Sequence, residues 1–150
     1  MPKSSSDPQA VLSTRRTIAA SPRAVFSRFA DPAALARWWG PDGFTNTFET
    51  FEFEPDGRWV FVMHGPNGID YANECVFRVV QPDSEIVIEH VAEPWFVLTV
   101  KLTTQDNGTL LTWDQEFETA EMASKVAAIC GPANEQNLNR LEAELSAASL

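Results

Sequence analysis

Between Thr45 and Phe117 one pattern repeats: a run of residues alternating in polarity, then a short turn signal. The turns stand at Pro55-Asp56-Gly57, Pro66-Asn67-Gly68, Pro82-Asp83-Ser84 and Asp106-Asn107-Gly108. Proline presets φ, Asp and Asn tolerate left-handed backbone, and glycine enters it freely. The segments between them lie near 46–54, 58–64, 70–80, 84–91, 95–104 and 109–117. In the last, Leu111, Trp113, Gln115 and Phe117 share one face, with Thr112, Asp114 and Glu116 on the other. In 84–91, Ile86, Ile88 and His90 oppose Glu85, Val87 and Glu89. Connections this short make consecutive strands antiparallel, and a sheet with one apolar face must be covered.

The flanks supply the cover. After a loose tail over residues 1–9, Val11 to Ile18 reads as a further strand. Ser21-Pro22 and Asp31-Pro32 are two helix starts in tandem, each a capping side chain followed by a proline suited to the first turn. Val25, Phe26 and Phe29 mark the first helix; Leu35, Trp38 and Trp39 mark the second, which stops at Gly40-Pro41. Beyond the strands, Thr119 caps a short helix carrying Met122, Val126 and Ile129, which Gly131-Pro132 interrupts. Pro132 then opens a last helix with Leu138, Leu141 and Leu145 on one face. The expected architecture is α+β, a single domain over 10–150. About seven antiparallel strands curve around a C-terminal helix, with two short helices after the first strand.

Eleven Lys and Arg against 21 Asp and Glu leave a net charge of −10, which repels phosphate backbones and anionic lipid. Neither nucleic acid nor membrane insertion is therefore expected, and the apolar runs are only a few residues long. Met1 to Pro8 is polar and lacks the apolar stretch of a signal peptide, so the expected location is cytoplasmic. Cys75 and Cys130 have no CxxC spacing; a reduced pair is expected, with a bond between them left open. Two distant histidines without HxH or HExxH spacing argue against a metal, and phosphate-binding glycine loops are absent. No cofactor is expected.

The run Arg16-x-Ile18-x-Ala20-x-Pro22-x-x-Val25-Phe26, then Asp31-Pro32-x-x-Leu35-x-x-Trp38-Trp39-x-Pro41-x-Gly43-Phe44, is similar to the opening of a known family. So are Pro55-Asp56-Gly57-Arg58-Trp59-x-Phe61-x-Met63-His64-Gly65-Pro66-x-Gly68, Asp70-Tyr71-x-Asn73 and Gly108-Thr109-x-Leu111-Thr112. Together they resemble bacterial homologues of the heat-shock-protein-90 ATPase activator C-terminal domain. These lie within the START-like, Bet v 1-like (SRPBCC) helix-grip superfamily. Two departures stand out: Asp56 replaces the first of two glycines, and Gly131-Pro132 stands where many members have Gly-Trp. The resemblance implies a cavity between sheet and helix that often holds a small apolar ligand. It implies no single activity, since members include lipid carriers, polyketide cyclases, hormone-binding proteins and co-chaperones.

Strict alternation puts Phe51, Phe53, Phe61, Met63, Phe77, Phe96, Leu98 and Trp113 on the inner walls, with Asn73, Cys75, His90 and Gln115 as polar points among them. With Trp39 and Leu138, the candidate ligand-binding residues are Trp39, Phe51, Phe61, Met63, Asn73, Cys75, Phe77, His90, Phe96, Trp113, Gln115 and Leu138. A mostly apolar wall with a few polar groups is how small-molecule sites are built. Adjacent helical residues point about 100° apart, so only one of Trp38 and Trp39 belongs in the core stripe, leaving the other as a lid with Pro41–Phe44. Trp95 is a second candidate for the rim, and His64 is expected to face solvent. The expected function is binding or transport of a small hydrophobic or aromatic molecule. One alternative is a polyketide cyclase-like or hydrolase-like enzyme using His90, Gln115 or a Cys75–His90 pair. Another is a co-chaperone-like interaction module, although the eukaryotic activator carries a further N-terminal domain for which 150 residues leave no room. A homodimer is left open, and no catalytic residue is assigned.

Overall fold

The computed structural model describes residues 8–148; most of the expected tail, Met1–Asp7, and Ser149–Leu150 lie outside the described residues. A single 3-10 turn over Pro8–Ala10 buries Ala10 and lies against the C-terminal helix. Seven strands follow the order of the sequence reading: β1 Val11–Ile18, β2 Thr45–Phe51, β3 Arg58–His64, β4 Asp70–Gln81, β5 Glu85–His90, β6 Phe96–Gln105 and β7 Gly108–Phe117. They form one antiparallel sheet in the order β1-β7-β6-β5-β4-β3-β2. Three of the hairpin turns place an aspartate at positive φ: Asp56 at 65°, Asp83 at 62° and Asp106 at 53°. Asp56 thus takes unaided the conformation that a glycine would adopt more freely. Its neighbour Gly57 is irreplaceable for another reason: a Cβ there would stand 1.9 Å from the Glu52 carbonyl oxygen.

The two edge strands, β1 and β2, are joined across the mouth of the curved sheet by α1, Pro22–Ala30, and α2, Pro32–Trp38. Both helices start as expected. Ser21 Oγ accepts from Ala24 N at 3.1 Å, and Asp31 Oδ1 accepts from Ala33 N at 3.0 Å. Two bulges depart from strict alternation, one at Glu49 in β2 and one at Arg78 in β4. Each inserts one residue, so the register shifts by one and the strand bends. Phe48, which alternation places outside, therefore faces inward opposite Phe61, while Phe51 lies opposite Trp59.

The C-terminus corrects the sequence reading. Instead of two helices parted at Gly131-Pro132, one helix, α3, runs over Ala120–Ala148 with Pro132 inside it. Thr119 caps it, accepting from Met122 N at 3.1 Å. Pro132 has no N–H to donate to the Ala128 carbonyl, but both residues are exposed, so water can serve that oxygen. Leu138, Leu141 and Leu145 enter the core as expected. The first half of α3 buries only Ala123, and Ile129 is 74% exposed. Among the described residues no helix is long and apolar enough to cross a membrane.

Candidate functional site

A cavity of about 280 Å³ separates the sheet from the middle of α3. The reason lies in side-chain size along the helix. From Leu138 onward α3 offers leucines, and the space is filled. At Cys130, Ala133, Asn134 and Asn137 it offers small or polar groups, and the space below stays open. Positions 130, 134, 137 and 141 are spaced as one helical stripe, so the cavity is continuous with the core face of the same helix.

Of the expected site residues, Trp39, Phe61, Met63, Asn73, Cys75, His90, Phe96, Trp113 and Gln115 line this cavity. Three do not. Phe51 and Phe77 belong to a filled aromatic cluster around Trp59, with Trp59 and Phe77 stacked at 5.6 Å and Phe51 edge-on to Phe77 at 5.7 Å. Leu138 is fully buried in the closed part of the core. Phe53 joins the aromatic cluster rather than the cavity, packing on Phe26 at 5.5 Å and on Phe77 at 5.0 Å. Leu98, expected on the wall, and Pro41, expected in a lid, also line it, and Gly40, Ile88, Pro94, Cys130, Ala133, Asn134 and Asn137, which were not among the expected site residues, complete the lining. The signal for those on α3 was the unbroken helical spacing, hidden by reading Gly131-Pro132 as a stop.

Trp38 and Trp39 are both buried, at 1% and 8% exposure. Trp39 sits at the C-cap with extended backbone, φ −68° and ψ 134°, so the helical 100° offset does not apply to it. Its ring meets Trp59 at 5.1 Å and Trp113 at 5.9 Å. Nor is Trp39–Phe44 built as a free lid. Arg140, on α3, donates to the carbonyls of Arg37 (2.7 Å), Trp39 (3.1 Å), Gly40 (2.9 Å), Pro41 (2.9 Å) and Phe44 (2.9 Å). Asn137 Oδ1 accepts from Gly40 N at 3.2 Å and Gln136 Oε1 from Asp42 N at 3.1 Å. Burial lowers the Arg140 pKa, with Asp42 opposing that shift. The segment is a pinned wall. Trp95 is likewise not at the rim: it is buried, and its Nε1 donates to Glu89 Oε2 at 2.7 Å on the outer face of β5. Pro94 takes the place expected of it. His64 is on the outer face as expected, hydrogen-bonded to Asp70 and Thr47, each at 2.7 Å.

The polar points on the wall are mostly engaged by the protein itself. His90 Nδ1 donates to the Pro94 carbonyl at 2.8 Å, its Nε2 is hydrogen-bonded to the Asn73 side-chain amide at 2.9 Å, and its ring stacks on Phe96 at 4.7 Å. Cys75 lies directly across the strand pair from His90, yet neither ring nitrogen turns to it. Desolvation, with Glu74 adding to it, pushes the Cys75 thiol up to about 12, and burial raises Cys130 as well. Both are free thiols, Cys75 on the sheet and Cys130 on α3. Gln115 Oε1 accepts from Asn134 Nδ2 at 3.0 Å. Among the described residues no group of three or more His, Cys, Asp or Glu is placed to hold a metal.

Known proteins share this architecture. The solution structure of a protein from Arthrobacter aurescens superposes with a TM-score of 0.84 at 26% identity, over 92% of this chain and 87% of that one. A crystal structure of a protein from Nitrosomonas europaea gives 0.85 at 18% identity, over 95% and 98%. The AHSA1 protein of Silicibacter pomeroyi gives 0.75 at 23% identity, over 93% and 99%; at these lower identities the likeness is one of fold. No curated protein matches the chain. Residues 19–146 match the family described as Activator of Hsp90 ATPase homolog 1-like protein, a span that takes in both short helices, β2 to β7 and nearly all of α3. The chain therefore belongs to the Activator of Hsp90 ATPase homolog 1-like family.

Proposed function

We propose that the protein binds a small hydrophobic or aromatic molecule between its sheet and α3, as a carrier, sensor or sequestering protein. The observation that carries this reading is the unfilled interior of about 280 Å³. Protein cores are packed to crystal density. At about 24 cal/mol per Å³, leaving a space of this size empty would forgo about 7 kcal/mol, a large share of ordinary domain stability. An apolar cavity of about 150 Å³ accepts benzene, so this one has room for about two fused rings.

The chemistry of the wall favours binding over turnover. His90 has both ring nitrogens held by protein partners, and Cys75 is a protonated thiol at neutral pH. Neither presents the free base or thiolate that a cyclase or hydrolase would use. The test is titration with a neutral fluorescent probe, N-phenyl-1-naphthylamine, into the native protein and into Ala133→Phe, which fills the cavity from α3. Saturable enhancement that Ala133→Phe abolishes while remaining folded is the expected result. Binding indifferent to the filled cavity overturns the reading, as does failure of this probe and of smaller two-ring probes alike.

A further inference from the structure

The hydrogen-bonding capacity left over on the cavity wall is lopsided. Asn137 Oδ1 is occupied by the Gly40 N–H, which can only donate, so its Nδ2 is fixed as a donor with no partner among the described residues. Trp113 is 2% exposed, and its indole Nε1–H is buried without an acceptor. The Gln115–Asn134 pair, joined at 3.0 Å, has one amide donor and one amide oxygen left over whichever way the two amides are turned. The Trp113 Nε1–H has no accessible surface, so the groups left to an occupant are two amide donors against one amide acceptor.

They also lie together. Trp113 and Gln115 are two residues apart on the inner face of β7, and Asn134 and Asn137 are one helical turn apart on α3. The far side of the cavity carries Phe61, Met63 and Ile88, and its polar groups Asn73 and His90 are bonded to each other. No Lys, Arg, Asp or Glu lines the cavity, although the chain carries a net −10. A buried ion would lose several kcal/mol of solvation with no side-chain counter-charge to repay it. A buried donor left without an acceptor costs about 1–3 kcal/mol.

Building on the ligand-binding reading above, we propose that the occupant is an uncharged, aromatic-sized molecule bearing a carbonyl oxygen. That oxygen lies at the seam of β7 and α3, accepting from the side chains of Asn137 and Gln115, and the apolar body lies against Phe61, Met63 and Ile88. The seam selects the polar end of the ligand, and the sheet selects its bulk.

Three probes of one shape separate the alternatives: 2-acetylnaphthalene, 2-isopropylnaphthalene and 2-naphthoate, followed by native mass spectrometry and by side-chain amide N–H resonances. The ketone should bind about tenfold more tightly than either of the others. It should also shift the Asn137 and Gln115 side-chain N–H signals, which the hydrocarbon leaves nearly in place. Asn137→Asp retains the acceptor for Gly40 but replaces the free donor by an acceptor. It should erase the ketone's advantage while changing hydrocarbon binding little. Gln115→Leu, which introduces no charge, should reduce that advantage if Asn137→Asp does not fold. Equal binding of ketone and hydrocarbon, or tighter binding of the naphthoate, overturns the carbonyl assignment and leaves the ligand-binding reading standing. Failure of all three probes together with N-phenyl-1-naphthylamine overturns both.

Discussion

Arg140 is the main tie on one wall of the cavity, through the carbonyl of Arg37 near the end of α2 and four more on the connection between α2 and β2. Its planar fork reaches several acceptors at once, which a lysine ammonium on a flexible stem cannot reproduce. Loss of the side chain strands carbonyls in a half-buried place. Arg140→Met should lower stability by about 2–4 kcal/mol, and Arg140→Lys should recover less than half of that, as read from urea unfolding. The same variants should quicken probe exchange, because Trp39, Gly40 and Pro41 line the cavity. This role was invisible in the sequence, where Arg140 reads as a charged residue beside the leucine stripe. The polar wall residues were more legible. Asn73, Cys75, His90 and Gln115 follow from alternation alone, because a regular strand sends every second side chain to the same face. Phe48 escaped for the converse reason: the bulge at Glu49 breaks that period.

At the scale of elements, α3 decides what the interior holds. Its second half closes the core with leucines, and its middle leaves the cavity open. Pro132 lies within this helix, where it removes one backbone hydrogen bond. Pro132→Ala should therefore stabilise the protein by about 1–3 kcal/mol, seen as a raised Tm, since alanine restores the donor to the Ala128 carbonyl and suits the helix. An unchanged or lowered Tm would mean that the ring's own contacts matter more than the missing bond. The sequence reading placed a break here because Gly-Pro is locally a strong stop. The helix passes through it because its second half is anchored in the core by Leu138, Leu141 and Leu145, and tertiary packing outweighs a local penalty of about 3 kcal/mol. The short helices needed no such help: Ser21-Pro22 and Asp31-Pro32 cap their own amides.

Across the whole molecule, ion pairs tie the helices and first strand to α3. Arg37 and Arg28 converge on Glu144, and Arg16 reaches Glu135 and Glu142. Hydrogen bonds from Arg37 hold the Glu144 carboxyl below its ordinary range, and those from Thr14 and then Arg16 do the same for Glu135. Trp95 and then Arg78 depress Glu89 on the outer face. A carboxyl depressed in the folded state contributes stability above its unfolded pKa of about 4.3 and loses it as pH falls through the lower folded value. Urea midpoints should therefore be flat from neutral pH to about pH 5 and then drop. Glu144→Gln should flatten part of that drop and lower the plateau, because Arg28 and Arg37 lose their shared partner. A midpoint insensitive to acid would contradict this account.

The amino-acid sequence by itself determined the strand count, the antiparallel order of the six later strands, the four turns and both helix caps. Each of these is decided within a few residues, by steric limits on φ or by a side chain bonding its own backbone. Only the tertiary structure decided whether the inner face is core or cavity. Filling depends on volume, and the volume above Phe61, Trp113 and Gln115 is set by Cys130, Ala133, Asn134 and Asn137 on a helix whose continuity the local signals denied. The pinned wall at Trp39–Pro41 likewise rests on Arg140, some hundred residues away along the chain. Aromatic content alone promised a wall. The small and polar stripe of α3 leaves space behind it.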